Sequence, residues 1–125
     1  FDPPGTADFP LRAALMTMLD FVNAIGLERI EERCRYLSNH LKSQLSELAP
    51  VTILSGPLET SGPGSTIFEF SGLDAIAAVP MMEQQGRVHI DEHQRDGHNA
   101  IRVSTHFYNT RAEIDRLVDA LRSVA

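Results

Sequence analysis

The 125-residue sequence contains no tryptophan, a single cysteine and a single lysine, and aromatic residues make up 6% of it. Few aromatic rings leave little material for stacking on unpaired bases, which argues against binding of single-stranded nucleic acid. One cysteine, Cys34, excludes an internal disulfide and is typical of a reducing compartment. We therefore expect a cytoplasmic protein.

Positive charge is also scarce, because 11 basic residues face 17 acidic ones and the net charge is −6. Phosphate backbones and anionic lipids both attract basic surfaces, so neither nucleic acid nor membrane is an expected partner. The longest apolar run, Ala75–Met82, contains Pro80 and is far too short for a bilayer span. A hydrophobic content of 42% still predicts a packed core. The chain begins with Phe1, and we expect further residues upstream in the natural protein.

Apolar periodicity predicts eight elements in the order α-α-β-β-α-β-β-α. The first helix follows Asp8 and stops at Gly26, and the second carries the clearest apolar stripe. Pro80 is expected to kink the third helix or mark its start. Thr110-x-x-Glu113 has the spacing of a capping box for the last helix. The predicted ranges are helices 8–26, 27–48, 74–85 and from 110, strands 51–54, 66–70, 88–91 and 101–104, and a turn over 94–99.

Short strands with helices able to cover one face predict an α+β fold built on a small, mainly antiparallel sheet. We divide the chain into residues 1–26, the end of a large preceding domain with a connecting helix, and a small α+β domain of residues 27–125.

His89-Ile90-Asp91-Glu92-His93 matches H-x-x-E-H, a pattern of zinc hydrolases. That chemistry needs both imidazoles on one side of a helix. The alternation of Val88 to Asp91 instead predicts a strand, on which residues four apart lie roughly 13 Å from one another. A zinc hydrolase using His89, Glu92 and His93 is retained as an alternative, beside the interpretation of a solvated strand end. His98 and His106 are interpreted as surface residues.

Arg102 alternates with the apolar residues Ile101 and Val103, so its side chain should leave the core face of the strand. There its planar fork could bind a carboxylate, or it could be a solvated strand arginine. Thr6, after Pro4-Gly5, could contact an anion such as phosphate. Cys34 is predicted to be a core residue and Lys42 to be solvated.

The stretch Ile101-Arg102-Val103-Ser104-Thr105-His106-Phe107-Tyr108-Asn109-Thr110 resembles the C-terminal signature of class V aminotransferases. Gly5-Thr6-Ala7-Asp8-Phe9 and Ile25-Gly26-Leu27-Glu28-Arg29-Ile30 are similar to the same family. Its members are fold-type I enzymes that use pyridoxal phosphate (PLP), and the Tyr-Asn-Thr variant is most like the branch of isopenicillin N epimerases and cysteine desulfurases. The resemblance covers nearly the whole chain in order.

By this resemblance, Arg102 holds the α-carboxylate of an amino-acid substrate. Thr6 reaches the cofactor phosphate, often that of the neighbouring subunit of a homodimer, and Ala7 replaces a residue that is commonly larger and polar. The family's Schiff-base lysine belongs to a large N-terminal PLP domain that these residues do not include. The resemblance thus implies the C-terminal domain of a larger enzyme, inactive by itself. A non-catalytic ligand-binding or dimerisation module is the other alternative.

Overall fold

The computed structural model describes residues 9–57, 60 and 62–124 of the chain. Its elements follow the predicted order. The helices are α1 (Phe9–Ile25), α2 (Leu27–Ser46), α3 (Ala75–Gly86) and α4 (Arg111–Arg122). The strands are β1 (Val51–Ile53), β2 (Ser65–Phe70), β3 (Asp91–Arg95) and β4 (His98–Ser104).

The chain divides into two compact units, residues 1–30 and 31–125. In the first unit, Gly26 separates α1 from α2, and its φ of 97° is a conformation that side chains with a Cβ rarely adopt. The predicted stop at Gly26 is therefore confirmed. The assignment of residues 1–26 to a preceding region stays a prediction.

In the second unit, a four-stranded antiparallel sheet has the order β1-β2-β4-β3, so β4 is an interior strand. The predicted α+β class with a small antiparallel sheet is confirmed. None of the helices among the described residues combines the length and apolarity needed to cross a lipid bilayer.

The core lies between one face of the sheet and the apolar stripes of α2, α3 and α4, whose side chains form a single cluster with it. Alternation along the strands directs these side chains to that face. Cys34 is buried as predicted, with 6% of its surface exposed. The principal core residues are Leu37, Leu41, Leu45, Phe68, Phe70, Met82, Ile101, Val103, Ile114, Leu117, Val118 and Leu121.

Two predicted boundaries are wrong. The third strand begins at Asp91, where the sequence pattern placed its end, and most of the predicted turn over 94–99 is strand. The turn itself is only Asp96-Gly97, with φ values of 55° and 83°. Two successive residues with positive φ form the tight connection that matches the twist of paired strands, and Asp-Gly is a preferred sequence for it.

Pro80 is the sixth residue of α3 and does not mark where the helix begins. The helix starts instead at Ala75, after the N-cap Asp74, whose side chain accepts a hydrogen bond from the backbone N–H of Ala77. Gly86 ends α3 close to α4, since a Cβ at this position would lie 3.3 Å from that of Ala120.

Candidate functional site

Arg102 lies on β4 between Ile67 of β2 and Asp91 of β3, its direct register partners. Ile101 and Val103 are buried on the core face, and Arg102 projects from the opposite face. Its side chain is 42% exposed, so it remains accessible to a ligand while its backbone is fixed by strands on both sides. The predicted direction of this side chain is confirmed.

Asp91 is the charged partner of Arg102. The Nη2 group of Arg102 donates a hydrogen bond of 2.6 Å to Oδ2 of Asp91, whose side chain is 46% exposed. This bond from the guanidinium holds the pKa of Asp91 below its usual range. Asp91 is therefore ionised at neutral pH, and the pair carries one positive and one negative charge.

The remaining nitrogens of Arg102 are not equivalent. Nε is shielded from solvent and has no hydrogen-bond partner among the described residues. Nη1 makes no hydrogen bond or ion pair within the same residues. An arginine offers five N–H donors, so the two on Nη1 and the second on Nη2 remain for a ligand.

The histidines of the H-x-x-E-H pattern do not gather around a common point. His89 lies before β3, and its Nδ1 is 2.7 Å from Oε1 of Glu83 on α3. That hydrogen bond raises the pKa of His89. Across residues 9–57, 60 and 62–124, no group of three or more histidine, cysteine or acidic residues could hold a metal ion. The strand assigned to His89 was wrong, but the structure brings no zinc site together here.

His98 and His106 are exposed, as predicted. Nδ1 of His98 is 2.9 Å from Oε1 of Glu69 on the neighbouring strand. The ring of His106 stacks on Tyr108 with their centroids 4.8 Å apart, in the segment between β4 and α4. Neither histidine makes a hydrogen bond with Arg102.

Lys42 is buried, and the prediction that it is solvated was wrong. Only 3% of its surface is exposed, and its Nζ lies 3.4 Å from the carbonyl oxygen of Gly56. Burial, with Arg35 nearby, lowers the pKa of Lys42. An amine that anchors PLP must be reachable by the aldehyde of the cofactor, so Lys42 does not fit that role. The described residues therefore do not fit PLP by themselves, and Thr6 lies outside them.

Sequence reasoning missed Asp91 as the partner of Arg102. The signal was present, because a two-residue turn at Asp96-Gly97 pairs Arg95 with His98 and, counting outward, Asp91 with Arg102. Placing a longer turn over 94–99 concealed that register.

Comparisons with known proteins agree with this architecture. The sequence description of the family "Aminotransferase class-V" matches residues 4–117. An isopenicillin N epimerase from Amycolatopsis lactamdurans is 32% identical over 124 residues, which cover 97% of this chain and 31% of that protein. A probable cysteine desulfurase from Synechocystis sp. is 27% identical over 129 residues, covering 95% of this chain and 30% of that protein.

Among solved structures, the apo cysteine desulfurase of Thermococcus onnurineus superposes with a TM-score of 0.74 at 22% identity, covering 84% of this chain and 28% of that one. A cysteine desulfurase from Escherichia coli gives 0.72 at 18% identity, covering 84% and 27%. At these identities the two structures show a shared fold. The chain spans about a third of the length of the curated relatives it matches. By its sequence match over residues 4–117, the chain belongs to the class-V aminotransferase family.

Proposed function

We propose that the chain is the C-terminal domain of a PLP-dependent enzyme that acts on an amino acid, and that Arg102 binds the α-carboxylate of the substrate. The observation that carries this proposal is the placement of Arg102. Its guanidinium projects from an interior strand, on the face of the sheet that the core does not use, with Nη1 unengaged by the described residues.

Such an arginine suits carboxylate binding for a physical reason. Two parallel N–H···O bonds from one guanidinium fix the plane of a carboxylate as well as its position. A strand held between two neighbouring strands keeps the arginine's Cα in place. Less conformational entropy is therefore lost when the ligand binds. The residues of this chain would thus orient the substrate.

The family membership supports PLP as the cofactor, which supplies an electron sink for the substrate's α-carbon when it is bound. Since the described residues do not hold it, we assign its binding to an N-terminal PLP domain of the same enzyme. The domain by itself would then be inactive. A cytoplasmic homodimer, with Thr6 at the cofactor phosphate of the neighbouring subunit, completes the proposal.

The bond that is broken stays open among transamination, racemisation or epimerisation, β-elimination and desulfuration. Cys34 bears on the last of these. A thiolate that accepts sulfur must be exposed, and the single cysteine of the sequence is buried in the second unit. A desulfurase reaction that uses an enzyme thiol would need it from outside these residues.

Replacing Arg102 by alanine in the full-length enzyme tests the carboxylate assignment. We expect the kcat/KM for the best amino-acid substrate to fall by about 30-fold, because losing a paired charge costs at least about 2 kcal/mol. PLP content, measured by absorbance, should stay at the wild-type level. Arg95→Ala, at an exposed position of β3 on the same sheet, is the control and should retain wild-type kinetics.

Wild-type KM and kcat in Arg102→Ala would show that Arg102 does not bind the substrate. The non-catalytic alternative is tested separately by the upstream reading frame. A PLP domain with its lysine encoded there eliminates that alternative, and a complete frame without one eliminates our proposal.

A further inference from the structure

Asp91 occupies a position from which it can control how Arg102 meets a ligand. The Cα atoms of the two residues are register partners in neighbouring antiparallel strands, so their side chains leave the same face of the sheet. On the other side of Arg102 the register partner is Ile67, which offers no polar side-chain atom. The guanidinium is therefore held from the β3 side.

Two further carboxylates of the second unit pair with histidines and not with Arg102. Glu69 pairs with His98 at 2.9 Å, and Glu83 pairs with His89 at 2.7 Å. Asp91 is the acidic residue that contacts Arg102 among the described residues.

The ion pair is made through one nitrogen only. A structural arginine–carboxylate pair is frequently bidentate, with two parallel hydrogen bonds. Here Asp91 accepts from Nη2 alone, while the shielded Nε has no partner among the residues that the structure describes. The pair therefore uses one of the five N–H donors and leaves both donors of Nη1 unengaged by the described residues.

We propose that Asp91 is a positioning residue, whose carboxylate holds Arg102 through Nη2 so that Nη1 and the second N–H of Nη2 can bind one carboxylate group of the substrate. This inference rests on the proposed function of Arg102. Asp91 and the substrate then share the guanidinium and do not compete for it. The negative charge of Asp91 also leaves the pair neutral, which disfavours ligands that bring a second carboxylate to the same place.

A double-mutant cycle in the full-length holoenzyme tests the inference. The probe is the amino acid with the highest turnover in a panel of L- and D-amino acids. We expect Asp91→Ala to raise the KM for this amino acid about fivefold with kcat little changed. The reason is that the variant loses the charge-assisted hydrogen bond that orients Arg102. Asp91→Asn retains an acceptor oxygen and should give a smaller rise. Glu92→Gln, at the exposed neighbouring position of β3, is the control and should have no effect.

The decisive comparison is the effect of Asp91→Ala on KM in an Arg102→Ala background. A residue that acts through Arg102 should have no further effect there. An equal rise in both backgrounds, an unchanged KM in the single variant, or a fall in KM would each overturn the inference. An unchanged KM in Arg102→Ala itself would instead overturn the proposed function, so the two failures are distinguishable.

A second measurement does not depend on turnover. In the cofactor-free full-length protein with ¹⁵N-labelled arginine, the Nε–H signal of Arg102 is assigned by its disappearance in Arg102→Lys. Because solvent does not reach Nε, we expect slow hydrogen exchange in the wild type and in Glu92→Gln, and faster exchange in Asp91→Ala. Equal exchange in all three would show that Asp91 does not hold the side chain.

Discussion

Burial changes the chemistry of Lys42 in a way that its neighbours in sequence do not indicate. The residue follows Leu41, a core position of α2, and the helix turns it inward as well. Lysine stems are long enough to cover apolar surface, but here the whole side chain is enclosed and the pKa falls. The one lysine of the sequence is thus a structural residue of this domain.

Unlike the buried Lys42, Asp115 on α4 has a half-exposed side chain. Its Oδ1 is 2.7 Å from Nε2 of His40 and accepts a second bond of 2.7 Å from Nε2 of Gln44, both on α2. The hydrogen bond from His40, with that from Gln44, lowers the pKa of Asp115. The folded state therefore favours the carboxylate more than the unfolded state does.

Replacing Asp115 by asparagine should lower the free energy of unfolding near neutral pH by about 0.5–1 kcal/mol, because the two hydrogen bonds that its carboxylate accepts are weakened. A carboxyl whose folded pKa is lowered stabilises the fold above its unfolded pKa, and the contribution is lost as the pH falls through the folded pKa. The difference between wild type and variant, measured by urea unfolding, should thus shrink in acid. A difference that grows as the pH falls would contradict this.

At the scale of single elements, a few polar residues fix the start of α4 and the turn of the β3–β4 hairpin. The side chain of Thr110 accepts from the backbone N–H of Glu113, and the Glu113 carboxylate accepts from the backbone N–H of Thr110. These bonds form the capping box that the sequence spacing predicted. They also lower the pKa of Glu113, most strongly through the bond from the Thr110 backbone.

Thr110→Ala should lower the free energy of unfolding by about 1 kcal/mol, because two N–H groups at the start of α4 lose their acceptor or its orientation. Thr110→Ser keeps the accepting oxygen and is expected to remain near the wild-type value. Thermal or urea unfolding of the two variants side by side provides the measurement. Equal loss in both would mean that the methyl group of Thr110, rather than the cap, is what matters.

The hairpin shows why the register escaped sequence analysis. Polarity alone cannot separate a strand such as Asp91–Arg95, which has no apolar residue, from a turn. It pairs as a strand because β4 offers it a backbone ladder, and because Asp96-Gly97 can close the hairpin in two residues. Asn99 then ties β4 to α3, donating to the carbonyl of Leu73 and accepting from the N–H of Ala75.

On the scale of the molecule, the second unit is held together by one cluster that three helices share with the sheet. Leu41 of α2 is fully buried in this cluster. Ile76 of α3, by contrast, is 58% exposed although other residues of α3 belong to the cluster. The two residues have similar size and differ in their surroundings.

Leu41→Ala should destabilise the second unit by about 2–4 kcal/mol, since it removes buried methyl groups and leaves a cavity. Ile76→Ala, the matched control, should change the free energy of unfolding by less than about 0.5 kcal/mol. Urea unfolding followed by circular dichroism would measure both. Similar values for the two variants would contradict the placement of the core.

The amino-acid sequence by itself determined the element order, the α+β class, the core stripes of α2 and α4, the cap at Thr110 and the outward direction of Arg102. These depend on local periodicity and spacing, which act over a few residues. The tertiary structure alone decided the burial of Lys42, the pairing of Asp91 with Arg102 and the separation of the histidines. Each of these depends on strand register or on packing between distant segments, and such contacts form only when the chain has folded.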